Sequence, residues 1–228
     1  MKQYQKNEKY YCEYMHELKS PILAQIDALK NLEEMCHDKL NDEERDMLQL
    51  TYSSCNHVWR IIDTFNTARK LEQNRIYITS TKFDIIQMFQ DILQEFKIIL
   101  KYSRLKFELS KDESIIVNAD KFYMKRAMEY LLDLCINHAY SGSVLKIKLQ
   151  KQKRNFDFEI KAKGTFIDAE ALDEIYNQQK ICFKKYNRPS INMGLYLAKR
   201  IITAHFGTTF AKNLSDDMYS LGFSIPVD

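Results

Sequence analysis

The spacing of apolar positions divides the chain into two parts. Over the first seventy residues these positions follow helical steps. Tyr11, Met15, Leu18, Ile22, Leu29 and Leu32 share one face of a first helix, with the polar Gln25 breaking the row. Asn41 and Glu44 stand at the spacing of an N-cap and its partner, which opens a second helix. Its seam runs Met47, Thr51, Ser54, Val58, Ile61, Phe65 and Ala68, in alternating steps of four and three, which is a heptad pattern. Residues 37–41 are too short for anything but a tight connection, so the pair predicts an antiparallel hairpin. A lone hairpin buries little surface, and pairing of two chains into a four-helix bundle is the expected solution.

Beyond about residue 78 the periodicity changes. Helical patterns cover residues 84–101, 120–138, 168–177 and 193–205. Short β patterns cover 105–109, 115–117, 144–149, 156–160 and 219–227. Residues 178–190 are mainly polar and read as a loop. The whole is an α+β chain, with a hairpin domain over 1–75 and a second domain over 78–228 whose helices lie on one side of a sheet.

Composition narrows the function classes. The chain has 228 residues, 45% of them hydrophobic, and a net charge of +3. No basic face interleaved with aromatics occurs, so nucleic acid is not an expected partner. Five Gly and three Pro are few breakers, which favours long helices. The five cysteines are odd in number and form no CxxC pair, which fits a reducing compartment. Cys36 and His37 lack a second pair at ligand spacing, so no metal site is assigned. No apolar run approaches the roughly 18 residues of a membrane span, and the opening MKQYQKNEKYY is too polar for a signal peptide. A cytoplasmic location is expected, with a membrane-anchored parent left open.

Residues 16–22 read HELKSPI on the first helix. A neutral imidazole is nucleophilic near pH 7 and can hold a labile phosphoryl group, and an adjacent carboxylate can orient it or take its proton. This stretch resembles the phosphoacceptor box of bacterial sensor histidine kinases, His-Glu-x-x-Thr-Pro. The resemblance implies that His16 is the phosphoacceptor and Glu17 its acidic partner. Ser20, four residues on, stands where Thr or Asn is commoner and would position a water for phosphatase action. Pro21 matches the closing proline.

The second part resembles the ATP-binding domain of the same kinases, which implies an α/β-sandwich ATPase fold. MGLYLAKRI at 193–201 is similar to the second glycine box and its helix, and the closing GFSIPVD to the last strand. RPSINMGLYLAKRI is also like the corresponding stretch of the small kinases linked to peptide-antibiotic transporters. The motifs depart from the pattern at the positions that handle nucleotide. Of the second box Gly194 remains, with Asn192 able to replace a glycine at positive φ. The first box, Asp-x-Gly-x-Gly, is Ala162-Lys163-Gly164-Thr165-Phe166, so the acid that recognises adenine is gone and Gly164 alone survives. The Asn-Leu-Leu-x-Asn-Ala box is Tyr130-Leu131-Leu132-Asp133-Leu134-Cys135, which puts Leu134 where a Mg²⁺ ligand belongs, and leucine cannot bind a hard cation. A shifted alignment makes Asn137 the ligand but loses the Leu131-Leu132 match. Lys180, Lys184, Lys185 and Arg188 form a basic stretch in the lid region, read first as a solvated loop.

The resemblance leaves three functions open. In the first, the chain is a phosphotransfer protein or pseudokinase that exchanges a phosphoryl group between His16 and the Asp of a receiver domain, which supplies the Mg²⁺. The sporulation phosphotransferases show that architecture. In the second it is an active histidine kinase with a divergent ATP site, and only then are ATP and Mg²⁺ its cofactors. In the third it docks a receiver or a partner kinase without chemistry. A homodimer is expected in each.

Overall fold

The computed structural model describes residues 2–36, 38–72, 77–164, 176, 180–182, 189–191 and 193–227, with the backbone path alone along 2–16, 69–72, 180–182 and 189–191. The chain separates into two compact units, residues 1–75 and 76–228.

The first unit is built from α1 (Lys2–Cys36) and α2 (Asp42–Glu72). The opening of α2 is the capping pair the sequence predicts. Glu44 N–H donates to Asn41 Oδ1 at 2.9 Å, and Asn41 N–H donates to Glu44 Oε2 at 2.9 Å. The helices run antiparallel: Gln49 Nε2 is 3.4 Å from Glu33 Oε1, and Lys19 Nζ lies 5.2 Å from the centre of the Trp59 ring. Between them Ile26, Ser53, Ile62, Thr67 and Ala68 are buried. The heptad seam read from α2 lies mostly elsewhere. Met47, Val58, Ile61 and Phe65 are exposed, as are Leu18 and Leu32 of α1.

The second unit carries β1 (Thr81–Asp84), α3 (Ile85–Tyr102), β2 (Lys106–Lys111), β3 (Ile116–Ala119), α4 (Lys121–His138), β4 (Val144–Gln152) and β5 (Asn155–Lys163). After these come β6 (Lys180–Cys182), β7 (Pro189–Ile191), α5 (Met193–Ala204), β8 (Thr208–Ser215) and β9 (Met218–Pro226). The main sheet has the order β2-β4-β5-β9-β8, with β2 and β4 parallel and the other pairs antiparallel. Alternation decides its two faces. Leu145, Ile147 and Leu149, then Phe156, Phe158, Ile160 and Ala162, then Tyr219, Leu221, Phe223 and Ile225 are buried and meet in register. The other face presents Glu108, Lys146, Lys148, Glu159 and Lys161, with Ser220 donating to Glu159 Oε1 at 2.6 Å. Helix α3 covers the apolar face with Phe89, whose ring centre is 5.0 Å from that of Phe158. Phe158 in turn is 5.3 Å from Phe223.

Asp120 ties three segments together at the start of α4. Its carboxylate accepts from Thr79 N–H at 2.8 Å and, as N-cap, from Tyr123 N–H at 3.1 Å. Its own N–H donates to His205 Nε2 at 2.9 Å, while His205 Nδ1 lies 2.8 Å from the Ile201 carbonyl oxygen. A neutral imidazole with its proton on Nδ1 satisfies both contacts. Replacing His205 by Ala leaves the Asp120 N–H without its acceptor, and we expect a loss of about 1–3 kcal/mol in urea unfolding. An unchanged midpoint would show that another group takes over.

Several elements depart from the expectation. The loop read over 178–190 contains two short strands, β6 and β7, paired antiparallel. Strands β1 and β8 carry no alternation strong enough to announce them. The helix expected at 168–177 lies outside the described residues, Tyr176 apart.

Candidate functional site

His16 lies on the backbone of α1, and its side chain is outside the described residues. Its neighbours are described: Glu17, Lys19, Ser20 and Pro21 are all exposed. Pro21 is inside the helix. Having no N–H, it cannot bond the carbonyl of Glu17 one turn back, which leaves that carbonyl available beside His16. Glu17 and Ser20 are three apart on the helix and so share a face; Glu17 itself is displaced about 100° around the axis from His16.

In the second unit the chain brings together the segments read as nucleotide motifs. Gly164, at the end of β5, bridges to Ala139 just past α4, and a Cβ at this glycine would collide with the His138 carbonyl. Tyr140 N–H donates to the Lys163 carbonyl at 2.9 Å. Gly194, in the first turn of α5, faces the middle of α4, where an added Cβ would stand 3.3 Å from the Tyr130 ring. Helix α4 therefore lies between the two glycine positions. Its side chains toward them are not those of a polar site. Tyr130 and Leu134 are buried, as is Ala162 on β5. Asn137 is exposed in the last turn of α4, with its amide nitrogen 3.5 Å from Asp133 Oδ2. Asn192 and Phe166 lie outside the described residues. Among those described, no cluster of three or more His, Cys, Asp or Glu could hold a metal ion.

The titratable groups nearby are tuned by burial. His138 is pushed down to about 4 because its imidazolium would lose hydration. Glu129 is buried beside Tyr130 and ion-paired to Arg126 Nη1 at 2.8 Å. Desolvation raises its pKa, with the Arg126 and Lys125 charges opposing. His138 supports a pH prediction. The unfolded chain takes up a proton near 6.5, the folded one only near 4. Stability contributed by the neutral imidazole is therefore complete above pH 6.5 and lost progressively down to about pH 4. The loss should reach roughly 2–3 kcal/mol. Urea midpoints at pH 7 and pH 4.5 should fall less for His138→Gln than for the natural chain. Parallel falls would remove His138 as the cause.

Some residues of this region were not singled out in the sequence. Tyr219 of β9 is opposite Ala162 in register, and its phenol faces the Cys135 thiol from α4. Tyr176 is buried as well, with its hydroxyl 3.1 Å from the Phe210 carbonyl oxygen and 3.2 Å from that of Gly222. Nothing in the sequence marks Tyr219 except membership of an alternating strand. Only the register reveals its partner.

No protein-family model matches the chain. Curated relatives do. Sensor histidine kinase YvrG of Bacillus subtilis is 23% identical over 196 residues, 85% of this chain and 34% of that protein. The adaptive-response sensory kinase SasA of Microcystis aeruginosa is 23% identical over 224 residues, 93% of this chain and 57% of that protein. Among solved structures, the histidine kinase AdeS of Acinetobacter baumannii matches with a TM-score of 0.61 at 20% identity, covering 93% of this chain and 98% of that one. The α+β fold with its mixed sheet is thus that of a histidine kinase ATPase domain. These relatives and neighbours support a protein of the bacterial sensor histidine kinase type. The chain spans about a third of YvrG and just over half of SasA. No helix among the described residues is long and apolar enough to cross a membrane.

Proposed function

We propose that this chain carries a phosphoryl group on His16 and exchanges it with the aspartate of a response-regulator receiver domain, without making it from ATP. Residues 1–75 are the phosphoacceptor domain, with Glu17 as the acid beside the imidazole and Ser20 as the hydroxyl that would position a hydrolytic water. Residues 78–228 are an ATPase-type domain kept for its shape. The observation that carries this reading is the replacement of polar groups where α4 packs against the sheet. Tyr130, Leu134 and Ala162 are buried at positions where the family pattern calls for two polar residues, one of them a metal ligand, and an adenine acceptor. Phosphoryl transfer from a nucleotide depends on a metal and placed donors to neutralise charge. A receiver brings its own cation and acid, so that route needs only an accessible histidine, and the residues following His16 are exposed. The exposed seam of α2 supports a homodimer as the working form. Movement of label from a phosphorylated receiver to His16, with no nucleotide present, tests the reading.

A second reading, an active kinase with a divergent site, is favoured by the names of the relatives, which include sensor histidine kinases. Under it ATP and Mg²⁺ are cofactors, with Gly164, Asn192, Gly194 and Asn137 as the residues left to hold them. Micromolar binding of Mg-ATP by calorimetry would decide for it.

A further inference from the structure

The packing between α4 and the sheet differs from a site that has merely lost its ligands. Tyr219 and Ala162 are Cα partners in an antiparallel pair, so their side chains project from the same face as close neighbours. Both are buried to 1% exposure, and Cys135 closes the space from the helix side with none of its surface exposed. An acid at position 162, as in the family pattern, would place its carboxylate in this space and a base would follow it. A phenol ring stands there instead.

We propose that Tyr219 has turned the base-binding end of this region into hydrophobic core, so that a nucleotide is excluded by volume and not only by missing contacts. Two further observations agree. The Tyr219 hydroxyl is buried and faces the Cys135 thiol, a weak hydrogen-bond partner. A buried hydroxyl with so weak a partner gains little, so the ring is held mainly by its volume and shape. At the other end of the region the Tyr130 ring packs on Gly194, over the backbone that phosphates would approach. Burial also pushes the Cys135 thiol up to about 12, which keeps the space free of charge near neutral pH.

This inference rests on the reading that the second domain descends from a nucleotide site, and it makes a distinction that reading does not. In a stripped site, restoring the acid suffices to regain affinity. In a filled site, the ring must also go. Melting curves with millimolar adenine separate the two on the full chain, because the base alone needs neither the metal ligand missing at Leu134 nor the phosphate loop behind Tyr130. Adenine should not move the melting temperature of the natural chain. Ala162→Asp alone should melt lower and still not respond to adenine, because it buries a carboxylate against the ring. Ala162→Asp combined with Tyr219→Thr should be raised by adenine. Tyr219→Ala should melt lower than the natural chain and be raised by adenine, which enters the vacated space. Tyr219→Phe, which keeps the volume and removes only the hydroxyl, should hold its melting temperature and ignore adenine. If Tyr219→Ala does not fold, Tyr219→Leu is read in the same way. An adenine response in Ala162→Asp alone as large as in the double variant overturns the proposal, as do the absence of a response in the double variant and an adenine response in Tyr219→Phe equal to that of the smaller side chain. Label transfer from a receiver to His16 stands or falls separately, since it needs no nucleotide.

Discussion

Label on a phosphorylated receiver should move to this chain in the absence of ATP and should not move to His16→Gln. The donor is an aspartyl phosphate. Its phosphorus is attacked by a ring nitrogen of neutral His16, the receiver's carboxylate leaves, and the proton displaced from the imidazole passes to Glu17 or to water. Glutamine is close in size and polar but cannot take the phosphoryl group, so the expected loss is complete, not partial. The dimer and the melting temperature should be unchanged, because the surroundings of position 16 toward the C-terminus of α1 are exposed and carry no core residue before Ile26. Ser20→Ala gives a second readout. Label should still arrive, but its loss to water should slow, if the hydroxyl one turn from His16 positions the hydrolytic water. Equal labelling of the natural chain and His16→Gln would move the phosphoacceptor elsewhere and leave HELKSPI as an ordinary polar stretch of helix.

Local signals explain which features the sequence disclosed. Asn41 and Glu44 were readable because a capping box is written in adjacent residues, and the structure forms it with both bonds at 2.9 Å. Helix α3 was readable because eight of its buried residues, from Ile85 to Leu100, repeat at helical steps. Strand β8 was not, because its burial is intermediate along much of its length at the edge of the sheet, and an edge strand has no need of a full apolar row. The strands β6 and β7 were hidden in a polar stretch: they are three residues each and pair with one another. In the candidate site, the losses at Leu134 and Ala162 were visible by comparison with the family's motifs. The gain at Tyr219 was not. A loss occurs at a position that has a rule, whereas a filler sits wherever the register happens to deliver a side chain, here across two strands that are 57 residues apart at the paired positions (219 − 162). The relation between Asp120 and His205 was hidden likewise, since a hydrogen bond over 85 residues leaves no local pattern.

Charging the exposed seam of α2 should break the homodimer. Met47, Val58, Ile61 and Phe65 are 69%, 42%, 45% and 38% exposed, although their four–three spacing is that of a helix packed along its length. Among the described residues of the hairpin the burial falls on Ile26, Ile62 and Ala68 with the polar Ser53 and Thr67, while the apolar seam of α2 stays outside it. Leu18 and Leu32 of α1, 48% and 46% exposed, add to the uncovered apolar surface. Apolar seam residues exposed in this way fit a binding surface, and a second copy of the same hairpin presents the matching seam. Ile61→Glu with Phe65→Glu removes two apolar side chains per chain, each worth about 1.5–3 kcal/mol when buried, and sets carboxylates against a desolvated interface. The two chains together lose on the order of 6 kcal/mol or more, or about four decades in dissociation constant. Light scattering at micromolar concentration should therefore give a dimer for the natural chain and a monomer for the double variant, with the second domain still folded by its separate melting transition. Substitution of Asp27 and Lys30, both exposed on α1 outside the apolar seam, is the control and should leave the dimer intact. A natural chain that scatters as a monomer at these concentrations would show that the seam is covered by some other partner. A double variant that stays dimeric would place the interface on a different face of the hairpin.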